Sequence, residues 1–102
     1  MEYVICGTGD IHEKTVVCLV EDFIGVDTTP VSFAIVQGSL PVGDFITRYA
    51  EDSGIPVRTI TNIDDVRTIV LVAYCDSDRH TVETLRANGA TLLDLCEGLF
   101  PL

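Results

Sequence analysis

Short apolar runs rich in Val and Ile alternate along this chain with segments of helical period, and glycine or aspartate turns mark the joints. Strands that alternate with helices are joined by right-handed crossovers, which makes the sheet parallel and puts helices on both of its faces. The reading along the 102 residues is one domain spanning 1–102, an α/β three-layer Rossmann-like sandwich around a short, mainly parallel sheet of about five strands. Residues 3–6, 31–36, 56–60, 68–74 and 90–95 supply the strands, with 68–74, the most apolar, as the central one.

The helices are read from spacing. After Gly7-Thr8-Gly9, Asp10 and Glu13 have capping-box spacing, and Val16, Val17, Val20, Phe23 and Ile24 share one helical face that Gly25 ends. The β-branched stretch 15–20 leaves a strand open there. Val42, Phe45, Ile46, Tyr49 and Ala50 repeat with helical period between Pro41 and Gly54. Residues 79–87 form the third helix, capped by Asp76 or Asp78 and stopped by Asn88-Gly89. Residues 27–30 read as a turn, 62–66 as one helical turn or a loop, and 96–102 as a tail.

Charge narrows the functions. Sixteen Asp and Glu against six Lys and Arg give a net charge of −10. Nucleic acid is not an expected partner, because phosphate capture relies on Lys and Arg displacing counterions. Anionic membranes are repelled for the same reason, and the apolar run near 69–75 is far too short to span a bilayer. Glu2 interrupts the start of any secretory h-region, so the expectation is a cytoplasmic chain. The residue bias points to a bacterial or phage source. Cys6, Cys18, Cys75 and Cys96 show no ligand spacing with His12 or His80, and are read as buried, reduced thiols with no metal and no cofactor.

In an open parallel sheet a ligand sits beyond the strand carboxyl ends, where strand order reverses. For an order 3-2-1-4-5 the lips of that crevice are Gly7, Thr8, Gly9 and Asp10 facing Asp76, Ser77 and Asp78, with Gly38, Ser39, Gly43 and Asp44 alongside. Each motif is incomplete. The third glycine of a dinucleotide fingerprint is replaced by His12, and the P-loop spacing from Gly38 to Gly43 runs into Asp44 and Phe45 instead of Lys and Ser or Thr. Asp76 and Asp78 form a DxD that serves either as helix caps or as a Mg²⁺ pair. His80 beside Cys75 reads as an exposed first-turn residue, and Leu99, Phe100 and Leu102 as an apolar patch that folds back or meets a second copy.

Residues 4–10 (Val-Ile-Cys-Gly-Thr-Gly-Asp), 35–39 through Gly43-Asp44, Tyr49-Ala50-Glu51 and Gly54-Ile55-Pro56-Val57 carry a likeness over about half of the chain. It resembles the SLOG-type Rossmannoid superfamily, which includes the lysine-decarboxylase-like phosphoribohydrolases. The resemblance implies a pocket for a nucleotide or nucleotide derivative. Where that family often places a Gly-Thr pair after its fourth strand, this chain has Asp76-Ser77-Asp78.

The expectation favoured is a non-enzymatic accessory or regulatory protein acting through protein contacts as a homo-oligomer. A nucleotide-derivative binder and a Mg²⁺-dependent phosphate-handling enzyme are the alternatives.

Overall fold

Along the first strand, β1 (Glu2–Cys6), side chains alternate between two cores. Tyr3 and Ile5 enter one, Val4 and Cys6 the other, as a two-residue period requires of a sheet covered on both faces. β2 (Ser32–Val36) and β4 (Ile69–Val72) repeat the rule: Phe33, Ile35 and Leu71 join the first core, and Ala34, Val70 and Val72 the second. The computed structural model describes residues 1–25 and 29–102. The turn expected at 27–30 falls largely outside the described residues.

The helices α1 (Glu13–Ile24) and α2 (Val42–Ser53) close the first core with Val16, Val20, Val42, Ile46 and Ala50. Residues 15–20 are therefore helical, their β-branched character outweighed by burial of Val16 and Val20. A third helix, α3 (Arg79–Ala87), closes the second core with Val82 and Leu85. Ile63 and Val66 pack there too, so the crossover from β3 (Val57–Ile60) to β4 covers this face as a loop. Asn62 starts its turn by accepting from the Asp64 N–H at 2.8 Å, and Asn88 Nδ2 donates to the Ile63 carbonyl at 2.8 Å. Each fully buried Ile, Leu or Val side chain contributes roughly 1.5–3 kcal/mol relative to exposure.

With β5 (Thr91–Asp94) and β6 (Phe100–Pro101) the sheet has six strands, ordered β3-β2-β1-β4-β5-β6. The five expected strands are parallel to one another, and β6 runs antiparallel to β5. The tail thus adds a strand that its sequence does not announce. Two consecutive left-handed residues, Gly98 at φ 74° and Leu99 at φ 68°, reverse the chain after a short 3₁₀ turn, Leu95–Glu97. β1 and β4 form the middle pair, and the order reverses between them.

One cap differs from expectation. His12, not Asp10, precedes α1, its Nδ1 accepting from the Lys14 N–H at 3.3 Å. Gly9 donates its N–H to the Ala73 carbonyl at 2.7 Å, so the chain is still tied to β4 when it reaches Asp10, and the helix starts later.

Candidate functional site

The reversal point between β1 and β4 is where the sequence places a ligand crevice, and the chain fills it with its own hydrogen bonds. Asp78, 7% exposed, turns inward. Its Oδ2 accepts from the backbone N–H groups of Thr8 at 2.9 Å and Cys75 at 3.0 Å, and its Oδ1 accepts the Thr8 hydroxyl at 3.1 Å. With the Thr8 hydroxyl donating to Asp78, its oxygen remains an acceptor for two close neighbours, the Ser77 hydroxyl at 2.9 Å and the Cys75 thiol at 3.0 Å. Ser77 and Cys75 are themselves 2.9 Å apart. A loop after β1 is thereby latched to a 3₁₀ turn, Asp76–Asp78, between β4 and α3.

The two glycines explain themselves here. A Cβ on Gly7 would lie 2.2 Å from the Ala73 carbonyl oxygen, and one on Gly9 2.8 Å from it. They serve close approach of this loop to the end of β4, so no gap is left there for a pyrophosphate. Asp78 precedes α3 but makes no side-chain cap to that helix, because both of its oxygens serve Thr8 and Cys75. Asp76 is exposed at the start of the 3₁₀ turn, so the DxD carboxylates do not share one task. Among the described residues no group of three or more His, Cys, Asp or Glu side chains is placed to hold a metal ion.

Of the expected lips, Thr8, Ser77 and Asp78 come together, and the Gly38–Asp44 set stands apart as a second feature. Gln37 ties this loop to the sheet by donating its N–H to the Ile60 carbonyl at 2.8 Å, and the Gly43 N–H closes it on the Ser39 carbonyl at 2.7 Å. The peptide before Pro41 is cis. Gly43 is buried against Ile35, whose Cγ2 a Cβ would approach to 2.9 Å. Between loop, α2 and β3 lies a hollow of about 190 Å³, lined among others by Gly38, Ser39, Gly43, Asp44, Thr47 and Thr59. Ser39 is only 5% exposed, and among the described residues no enclosed side-chain oxygen or nitrogen is left without a hydrogen-bond partner. Thr47 donates its hydroxyl to the Gly43 carbonyl at 2.7 Å, and Asp44 is exposed in the first turn of α2.

Asp10 belongs to neither set. It lines a broad open trough of about 550 Å³ with Ile11, His12, Glu13 and Phe45, across which Glu13 pairs with Arg48 at 2.8 Å. The tail divides its three apolar residues. Leu99 packs on the first core, Leu102 on the second, and Phe100 stays 69% exposed. The Leu102 N–H donates to the Leu92 carbonyl at 3.0 Å. Alternation of bonded pairs then turns the backbone of Pro101 outward, where it offers no N–H, so this sheet edge is blunted.

The thiols separate. Cys6 is buried, and loss of solvent together with the nearby Asp78 carboxylate pushes its thiol up to about 12. Cys75 is half-buried, whereas Cys18 and Cys96 are exposed, contrary to the expectation of buried thiols. Cys18 lies on the outer side of an amphipathic helix, and Cys96 in the turn that leads to β6. Cys75 in the Thr8 cluster is the participant that sequence spacing missed, since 67 residues separate the pair and only the sheet joins them. His80 is exposed on the first turn of α3, as expected.

No helix among the described residues is long and apolar enough to cross a membrane. Comparison of the chain with protein-family models, curated proteins and solved structures finds no match, so the site is read from its own chemistry.

Proposed function

We propose that this chain is a small accessory binding module that takes the ribose part of a nucleotide derivative into the hollow between the β2–α2 loop and β3. The observation that carries this reading is the hollow itself, which lies at a strand carboxyl end and has Ser39, Thr59 and Asp44 on its wall. Thr59 and the Asp44 carboxylate add acceptors suited to sugar hydroxyls. Asp44 and the −10 net charge disfavour a phosphate inside, so the sugar enters and any phosphate stays at the mouth. The likeness of Gly38–Asp44 to the SLOG-type loop agrees with this ligand class.

A thermal-shift titration with adenosine, AMP and ribose 5-phosphate tests it. A ligand at about a hundredfold its dissociation constant adds about 2.7 kcal/mol by mass action. Adenosine is expected to raise the midpoint at least as far as AMP, and Ser39→Ala to abolish the shift. No response to any of the three at millimolar concentration refutes the reading.

A second reading rests on Phe100, a large exposed ring beside a blunted strand. It supports action through protein contacts, including a second copy meeting side chain to side chain. Sedimentation of the chain and of Phe100→Ser decides this: equal monomer masses at high concentration rule out self-association through that ring.

A further inference from the structure

The carboxyl ends of β4 and β5 carry two thiols that neither the latch nor the Ser39 hollow needs as thiols. β4 and β5 are parallel, with Val72 opposite Asp94. Cys75 lies three residues beyond Val72, and Cys96 two beyond Asp94. Neighbouring strands about 4.8 Å apart, with one residue of stagger at about 3.3 Å, give a diagonal of about 5.8 Å, inside the roughly 4.4–6.8 Å between Cα atoms that a disulfide spans. A contact across the two strand ends agrees with this spacing. Cys96 Sγ is 3.9 Å from the Tyr74 carbonyl oxygen, on the peptide that leads into Cys75. Cys75 is half-buried and Cys96 exposed, so both are open to a small reagent.

We propose that Cys75 and Cys96 form a redox modification site, in which a hydroperoxide converts the two thiols into one intramolecular disulfide across the ends of β4 and β5. Cys75 is the attacking thiol. Its sulfur is 2.9 Å from the Ser77 hydroxyl and 3.0 Å from the Thr8 hydroxyl, and Ser77 can turn its one proton from Thr8 to a Cys75 thiolate. Partial burial, then the Asp94 carboxylate, push the Cys96 thiol up from its ordinary value, which keeps it protonated and disfavours it as the first attacking thiol. In the first step the Cys75 thiolate attacks one peroxide oxygen. The O–O bond breaks, the other oxygen leaves as hydroxide and takes a proton to become water, and a sulfenic acid remains on Cys75. In the second, the Cys96 thiolate attacks the Cys75 sulfur, the S–O bond breaks, and that oxygen leaves as a second water. Hydrogen peroxide receives the two electrons that the thiols give up. Bridging draws the Cys75 sulfur away from Thr8 and Ser77 and ties the β6 turn to the end of β4, while Asp78 keeps its hold on the Thr8 and Cys75 N–H groups.

The other thiols fall outside the pair. Cys6 is buried behind Asp78, and Cys18 is on α1, which packs on the first core. The experiment treats the folded full chain with hydrogen peroxide, blocks remaining thiols with N-ethylmaleimide, and maps a non-reduced tryptic digest. Cleavage after Arg67, Arg79 and Arg86 puts Cys75 and Cys96 on separate peptides. The expected result is a monomer lighter by two hydrogens, those two peptides joined, and Cys18→Ser giving the same yield. In Cys96→Ser, dimedone is expected to trap Cys75 as its sulfenic acid at the same peroxide concentration. Recovery of Cys75 and Cys96 as separate maleimide adducts, or a link from either to Cys18 of another chain, overturns the pairing. Absence of the dimedone adduct on Cys75 overturns its part as the attacking thiol.

Discussion

Replacing Asp78 separates a latch from an ordinary helix cap. Its carboxylate accepts three hydrogen bonds, two from backbone N–H groups and one from a hydroxyl, at 2.9–3.1 Å. Hydrogen bonds to a charged group are worth about 1.5–3 kcal/mol each, and Asp78→Ala removes all three. Thr8 is exposed and Cys75 half-buried, so water recovers part of that, leaving a net loss of about 3 kcal/mol. For a domain of this size such a loss lowers the thermal midpoint by roughly 12–24 °C. Asp78→Asn behaves differently. Its amide oxygen, set where Oδ2 is, still accepts both N–H groups, and its NH₂ donates to a Thr8 hydroxyl that reverses its role. A cost of about 1 kcal/mol is expected. Urea unfolding followed by circular dichroism measures both variants, with an unchanged m-value showing that stability alone has moved. An Asp78→Ala midpoint within experimental error of the wild type, or Asn as damaging as Ala, refutes the latch.

Two further outcomes follow from close approach and from burial. Gly7→Ala forces a Cβ into the Ala73 carbonyl, at a position with φ 111°, and is expected to lose more than about 4 kcal/mol or fail to fold. Gly38→Ala meets nothing within 4 Å and pays only for its φ of 87°, about 1–2 kcal/mol, so equal midpoints for the two variants refute the packing argument. Cys6 ionises near 9.0 when unfolded and near 12 when folded, so its contribution is complete below pH 9 and falls as pH rises from there to 12. Relative to Cys6→Val, the wild type should lose stability in that window at up to about 1.4 kcal/mol per pH unit, as pH-dependent urea unfolding will read; parallel curves contradict it.

The order of strands and helices was legible because each element carries its own period. Helical spacing from Val42 to Ala50, bounded by Pro41 and Gly54, locates α2, and the left-handed Gly54 ends it as expected. The strand order from β3 to β5 was legible too, since parallel crossovers leave few arrangements. β6 was not. Its two residues pair only because Gly98 and Leu99 turn the chain back and both cores accept apolar side chains from the tail.

The candidate sites divide in the same way. Which loops meet the strand carboxyl ends follows from the sequence, because a period of two or 3.6 residues is written locally and burial enforces it. Whether a loop there is open or shut was decided in the tertiary structure. Asp78 reads identically as a cap, a metal ligand or a latch until Thr8, 70 residues away, is brought to 2.9 Å, and Ser39 reads as any loop serine until the fold sets it on the wall of a hollow with Thr59. A hydrogen bond depends on tenths of an ångström between distant residues, and no local pattern fixes that distance.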